Sequence, residues 1–220
     1  MADIRDTERL IERVTERYGK ETADKLVSYV DMILDRNEHI NLTAVRDRDE
    51  AMQKHLADSL SVIDVPEYIE ASSVIDIGTG AGFPGALLAI ADPDKEFTLL
   101  DSTLKRLRVI DEFADKLDIA NVTTLHARAE EISRKPEYNG QFDLCVTRAV
   151  AGLDKLAGWC LPFVRKGGSL IAYKGENYET EVKDADKSLK KYKGKIERVV
   201  KVDNPSGEIS GHVLLIIRKL

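Results

Sequence analysis

The stretch Asp76-Ile77-Gly78-Thr79-Gly80-Ala81-Gly82-Phe83-Pro84-Gly85 decides the fold. Its first residues close Ser73-Val74-Ile75-Asp76-Ile77, a short apolar run stopped by glycine, which reads as a buried strand. Its last residues open Pro84-Gly85-Ala86-Leu87-Leu88-Ala89-Ile90-Ala91, a helix-like run with proline suited to the first helical position. A glycine-rich turn from strand to helix lies at the carboxyl end of a parallel sheet, where such folds bind ligands. Glycine there takes positive φ and lets a bound group approach the backbone. A tight turn that binds nothing is the alternative, but Gly78, Gly80 and Gly82 are more glycine than a turn needs.

Outward from the loop, strand and helix alternate. Phe97-Thr98-Leu99-Leu100-Asp101, Val122-Thr123-Thr124-Leu125-His126, Phe142-Asp143-Leu144-Cys145-Val146-Thr147 and Gly168-Ser169-Leu170-Ile171-Ala172-Tyr173 read as strands. Residues 103–117, 153–162 and a charged segment near 176–192 read as helices, and two more strand-like runs follow near 195–202 and 212–218. Such alternation argues for a parallel, doubly wound α/β sheet. The connector Asp203-Asn204-Pro205-Ser206-Gly207 is too short for a crossover helix, so the last strand should run antiparallel, at the end of the sheet. A seven-stranded, mostly parallel sheet of this kind looks like the Rossmann-like class I methyltransferase fold.

The first 65 residues read as helices instead. Leu10, Val14 and Tyr18 recur on one face and Gly19 ends it; Leu26, Val30, Ile33 and Leu34 form a second face. After an Asn41-Leu42-Thr43 loop, Asp47 or Asp49 caps a third helix carrying Met52, Leu56, Leu60 and Ile63, which Pro66 closes. The expected organisation is an N-terminal helical extension over 1–70 and a catalytic domain over 71–220.

Composition is that of a water-soluble chain: 43% hydrophobic and 33% charged residues. No apolar run reaches the ~18 residues of a spanning helix. The charged N-terminus lacks a signal-peptide core, so a cytoplasmic protein with no membrane partner is expected. Cys145 and Cys160 form no CxxC pair and read as buried thiols; the four histidines are too scattered to argue a metal site. The net charge of −6 counts mildly against a nucleic-acid partner, but it is uneven. Residues 1–70 carry 10 Lys+Arg against 17 Asp+Glu, whereas 181–201 hold eight basic and four acidic residues. No apolar stripe is left over after core assignment, so a monomer is expected.

Two ligands suit the loop. Gly80-x-Gly82-x-x-Gly85 fits the dinucleotide pattern GxGxxG, with Asp101 at the right distance for a ribose. S-adenosylmethionine is favoured for two reasons. Asp76 would repel a pyrophosphate but accept hydrogen bonds from the ammonium of a methionine moiety. Phe83 and Pro84 crowd the turn where a pyrophosphate needs free amides. Asp101 suits a ribose diol in either case. For the acceptor, neither cysteine looks like the nucleophile that cytosine C5 methylation requires. Thr147-Arg148-Ala149-Val150 stands where amine methylation commonly uses an (Asp/Asn)-Pro-Pro-aromatic turn. An acceptor that is already nucleophilic, such as guanine N7, needs only to be held in line. An NAD(P)-dependent oxidoreductase and a non-catalytic assembly factor that keeps the loop are the other readings.

The chain resembles the RsmG (GidB) family of bacterial 16S rRNA guanine-N7 methyltransferases over nearly its whole length. The resemblance rests on Asn41-Leu42-Thr43-Ala44, His55-Leu56-Ala57-Asp58-Ser59-Leu60, the glycine loop, Leu99-Leu100-Asp101-Ser102 with Lys105-Arg106, Arg128-Ala129-Glu130-Glu131, Thr147-Arg148-Ala149 and Tyr173-Lys174-Gly175. It implies transfer of a methyl group from S-adenosylmethionine to N7 of a guanine in the 530 loop of 16S rRNA or the small subunit. It places Gly78 and Phe83 in the cofactor loop, Asp101 on the ribose, Ala129 and Glu130 around the adenine, and Arg148 beside cofactor and acceptor as the catalytic arginine. From the residues themselves, Asp76 and Gly80 join the cofactor set. Asn41, His55, Lys105, Arg106 and Lys174 are candidate RNA contacts. His55 and Asp58 share a helix face, as a lid, an RNA contact or a local pair. The run Lys187, Lys190, Lys191, Lys193 and Lys195 is either a phosphate contact or a solvated face.

Overall fold

The computed structural model describes residues 4–203 and 209–220. Two helices open the chain, α1 (Ile4–Tyr18) and α2 (Lys20–Asn37). The face Leu26, Tyr29, Val30 and Ile33 of α2 is fully buried, as its helical spacing requires. A continuous helix follows, made of α3 (Arg48–Ala51), a π-helical turn (Met52–Ala57) and α4 (Asp58–Leu60). Asp47 caps it by accepting the Glu50 N–H at 2.8 Å. Pro66 does not close this helix. It occupies the first turn of a separate short one, α5 (Pro66–Glu70), where its missing N–H costs nothing.

The strands are β1 (Ser73–Ile77), β2 (Glu96–Asp101), β3 (Val122–His126), β4 (Phe142–Arg148), β5 (Val164–Lys174), β6 (Gly194–Asp203) and β7 (Ile209–Lys219). Between them lie α6 (Gly85–Ala91), α7 (Leu104–Lys116), α8 (Ala129–Ile132), α9 (Leu153–Cys160), α10 (Tyr178–Asp184) and α11 (Asp186–Lys191). The seven strands form one sheet in the order β3-β2-β1-β4-β5-β7-β6. β1 to β5 pair in parallel, and β7 runs antiparallel to both β5 and β6. The antiparallel strand is thus last in the chain but not at the sheet end: it inserts between β5 and β6. The 203–207 connector expected to force this turn lies largely outside the described residues. The single helix expected near 176–192 divides at buried Ala185, and the one-turn α8 has too few residues for a periodic signal.

Side chains alternate across the sheet. Val74, Leu144, Val146 and Ile171 face the layer containing α6, α7 and the N-terminal helices; Ile75, Cys145, Leu170 and Ala172 face α8, α9 and α11. The N-terminal helices are part of this architecture, since Leu10, Leu26, Met52 and Leu87 belong to one apolar cluster. Both cysteines are fully buried thiols, as expected. No helix among the described residues is long and apolar enough to cross a membrane.

Candidate active site

Parallel pairing brings the carboxyl ends of β1, β2, β4 and β5 to one edge, and antiparallel β7 starts there. The edge divides into a glycine loop and a side-chain pocket.

The loop is held by backbone bonds. Gly78 and Thr79 donate N–H bonds to Leu100 O at 2.8 and 3.0 Å. Gly78 and Gly80 take φ of +74° and +60°, the left-handed region open to glycine. A Cβ built at Gly80 would meet nothing nearer than Gly78 O at 3.9 Å, so space lies open above it. Asp101 reaches back beneath the loop. Its carboxylate accepts the N–H of Gly80 at 3.0 Å and of Thr103 at 2.8 Å, which leaves about two of its four lone-pair sites.

Asp76 is fully buried under the same loop. Its Oδ2 accepts the Gly85 N–H at 2.9 Å, while Oδ1 is buried with no hydrogen-bond partner among the described residues. Burial pushes this carboxyl up to about 6. An orphan acceptor oxygen is costly and calls for a donor. Ala129 is buried at the start of α8, after β3, and Glu130 beside it is exposed.

The other half is a pocket of about 610 Å³, with Arg148, Val150, Tyr173, Lys174, Glu181 and His212 among its lining residues. Arg148 ends β4 and is the hub. Its Nη1 donates to Asp58 at 2.8 Å and to Lys54 O at 2.5 Å; its Nη2 donates to His55 Nδ1 at 3.2 Å. Its guanidinium also lies 5.6 Å from the Phe83 ring centre. Two of its five donors, Nε–H and one on Nη2, remain. The Lys54 carbonyl is available because of the π-helical turn: the Asp58 N–H bonds to Gln53 O and His55 O rather than to Lys54 O.

Arginine cannot accept a hydrogen bond, so His55 Nδ1 is the acceptor and Nε2 carries the proton. That proton points to Thr43 Oγ1 at 2.8 Å. Burial, then the nearby Arg148 charge, lowers His55 to about 4. The neutral ring stacks on Phe83, centres 4.4 Å apart. At the pocket's far margin His212 bonds Asp58 at 3.3 Å, which raises the imidazole above its ordinary range. Burial alone would raise Asp58, but the His212 and Arg148 partners outweigh it and hold the carboxyl low.

The expected residues therefore part company. Asp76, Gly78, Gly80, Phe83, Asp101 and Arg148 converge on one edge. His55 lies in the pocket wall, not on the outer surface, buried between Phe83, Thr43 and Arg148. His55 and Asp58 do share a face, but Arg148 bridges them. Lys174 lines the pocket instead of the outer surface, and its buried ammonium bonds Ala151 O and Glu181, both at 2.7 Å, with one donor remaining. Asn41 is exposed; it is Asn37 that organises the loop, bonding Leu42 N, Thr43 N and Thr43 O. Lys105 is exposed and Arg106 lies 3.8 Å from Asp101, away from the pocket. Lys187, Lys190, Lys191, Lys193 and Lys195 are all exposed, with Lys190 paired to Asp186.

Three contributors had not been anticipated. Tyr29 of α2 donates to Ala81 O at 3.0 Å and sets its ring edge to Phe83. Glu181 faces Lys174, and His212 closes the chain of charges. Their sequence separation hides them, although Tyr29 sits in the apolar register of α2.

Residues 22–210 match the family described as rRNA small subunit methyltransferase G. The chain belongs to that family. The ribosomal RNA small subunit methyltransferase G of Clostridium novyi (strain NT) is 38% identical over 209 residues, covering 95% of this chain and 86% of that one. That of Clostridium botulinum (strain Kyoto / Type A2) is 42% identical over 197 residues, covering 90% and 82%. Among solved structures, the O-methyltransferase from Bacillus cereus in complex with SAH superposes with a TM-score of 0.59 at 15% identity, covering 87% of this chain and 91% of that one. At that identity the likeness speaks for the fold, which is the class I methyltransferase fold.

Proposed function

We propose that the chain transfers the methyl group of S-adenosylmethionine to N7 of a guanine in the 530 loop of 16S rRNA. Family membership makes it an S-adenosylmethionine-dependent methyltransferase of small-subunit rRNA. The finer reading, base and atom, rests on what the pocket contains. Neither cysteine lines it, and both are fully buried. Burial raises the Cys145 thiol, away from the thiolate that ring-carbon methylation requires. The His55 acceptor nitrogen is already engaged by Arg148. Among the described residues the pocket's two imidazoles, His55 and His212, are engaged by Arg148 and Asp58, and no cysteine thiol lines it. That suits an acceptor with its own lone pair, which needs positioning alone.

The residues fit the cofactor. Asp76 Oδ1 is the buried orphan that an ammonium would satisfy, Gly80 leaves room for close approach, and Asp101 retains lone pairs for a ribose diol. Gly78 and Phe83 complete the loop, and Ala129 and Glu130 would frame the adenine. When bound, S-adenosylmethionine supplies an electrophilic methyl on a sulfonium sulfur. Arg148 lies between loop and pocket with two donors to spare, and Val150 covers Gly78 from the pocket side. Residues 1–70 cap both halves through Tyr29, His55 and Asp58, with 71–220 as the catalytic domain. Asp58 and Glu181 give the pocket carboxylates that tolerate the cation formed on an N7-methylated base.

The test is methyl transfer from labelled S-adenosylmethionine to small-subunit RNA and to assembled subunits, followed by digestion to nucleosides. Label in 7-methylguanosine is expected. Label in any other nucleoside, or none on either substrate, refutes the proposal.

A further inference from the structure

The pocket holds one buried ion pair whose remaining valences are unaccounted for, Lys174 and Glu181. Lys174 ends β5 with its side chain 7% exposed, and Glu181 lies on α10 with its side chain 32% exposed. Their contact is 2.7 Å, between Nζ and Oε2. The other partners are backbone: Lys174 Nζ donates to Ala151 O at 2.7 Å, and Glu181 Oε2 accepts the Leu153 N–H at 2.9 Å. An ammonium has three donors, so one remains on Lys174. Glu181 Oε1 has no hydrogen-bond partner among the described residues. A donor with one hydrogen to give therefore stands beside a carboxylate with lone pairs to fill, both lining the 610 Å³ pocket. Burying such a pair is expensive unless its remaining valences are used.

We infer that Glu181, with Lys174 beside it, reads the Watson–Crick edge of the acceptor base and selects guanine. The inference rests on the proposed guanine-N7 reaction and adds what chooses the base. Guanine carries an acceptor, O6, next to two donors, N1–H and N2–H₂. Lys174 donates to O6, and Glu181 accepts from the two N–H groups. Adenine and cytosine can fill one donor and one acceptor here but leave part of the carboxylate unsatisfied. Uracil brings a single N–H between two carbonyls, one of which faces the carboxylate. A site built to bond a substrate N–H rejects analogues that lack it, because its own buried groups are left unpaired. Reading this edge requires the base to be unpaired, as recognition in single-stranded loops allows. Tyr173 and the Arg148 chain supply the walls; Glu181 supplies the choice.

The decisive experiment replaces the guanosine that wild-type enzyme converts to 7-methylguanosine by inosine. Inosine keeps N7 and O6 and lacks only the N2 amine. Loss of one charge-assisted bond should lower kcat/KM by roughly 10- to 100-fold. Glu181→Gln keeps an acceptor for Leu153 N–H and should cost guanosine RNA a similar factor. On inosine RNA, which keeps N1–H, it should cost less than on guanosine RNA, so the two losses do not multiply in full. Equal rates on guanosine and inosine RNA with wild-type enzyme overturn the inference. So do losses that multiply in full, which mark Glu181 as a residue that merely supports α9. If the variant does not fold, the wild-type comparison still decides. Absence of 7-methylguanosine from wild type overturns the underlying reaction, and is distinct from 7-methylguanosine formed without an inosine penalty.

Discussion

The two halves of the ligand edge are built on different physics. The glycine loop is held by amide bonds and packed rings: Leu100 O, the Asp101 and Asp76 carboxylates, Tyr29 and Phe83. Its partners lie mostly within about 20 residues. The pocket is held by charge across long separations, with Arg148 and Asp58 90 residues apart and His212 and Asp58 154 apart. Backbone and packing make a surface of fixed shape. Linked charges make one that responds to protonation and to the loss of any member.

The largest expected effect sharpens this contrast. Arg148→Met leaves Asp58, 11% exposed, without its main partner, and should cost about 4 kcal/mol in urea unfolding. Adding Asp58→Leu should restore much of that; a single-variant loss under about 1 kcal/mol would dissolve the distinction between the halves. On the loop side, a Cβ at Gly82 would stand 2.2 Å from Tyr29 Oη at φ +91°. Gly82→Ala should therefore cost about 3 kcal/mol, from overpacking and backbone strain together. Tyr29→Phe, which removes the clashing oxygen, should recover part of it, as thermal melts would show.

Asp76 provides a change of opposite sign. Its folded pKa of about 6 lies above the ordinary 3.8, so folding favours its proton, and stability is lost as pH rises from 3.8 through 6. Above that the cost is complete. Asp76→Asn should then stabilise the protein by about 2 kcal/mol at pH 7 while weakening S-adenosylmethionine binding at least ~10-fold in calorimetric titration. A variant that gains stability and still binds normally would remove Asp76 from the cofactor set.

His55 behaves in the reverse way. Its folded pKa of about 4 lies below 6.5, so the unfolded chain takes up the proton first and stability falls as pH drops below 6.5. Between pH 7 and pH 5 this removes about 2 kcal/mol, read as the difference between wild type and His55→Gln in parallel unfolding curves. His212, raised by Asp58, opposes it: its contribution is full below 6.5 and fades as pH rises through its folded value. A curve identical in wild type and variant would mean that the pocket is not the pH-sensitive half.

What could be read in advance follows the same division. The strands, the loop and the placement of Asp76 and Asp101 beneath it are local patterns, so residue order exposed them. Arg148 was visible because a charge directly after a buried strand is hard to explain otherwise. Its partners were not, since nothing near Arg148 in sequence points to Asp58 or His212. Lys174 was noticed, but its burial against Glu181 was not, because a lysine at a strand end reads equally as solvated. The π-helical turn left no distinctive trace, since the same spacing of four joins Leu10, Val14 and Tyr18 in the regular helix α1. Met52, Leu56 and Leu60 also recur every four residues and are buried on one side, which a regular helix would explain equally well.

That turn also limits how the site can vary. A π-helical turn is an α-helix carrying one surplus residue. Deleting a residue such as Lys54 would restore regular winding and leave the two flanks nearly in register, because the wider turn had absorbed the surplus; what it would change is the hydrogen-bond ladder that leaves a carbonyl for Arg148. Leu42, Thr43 and Asn37 would meet much the same helix face, but the Arg148 guanidinium would face a carbonyl already engaged within the helix. The surplus residue acts as an indexing tooth. Substitutions on either side can be gradual, but the tooth is either present or absent, and lineages that lose it must rebuild the arginine's seat in a single step.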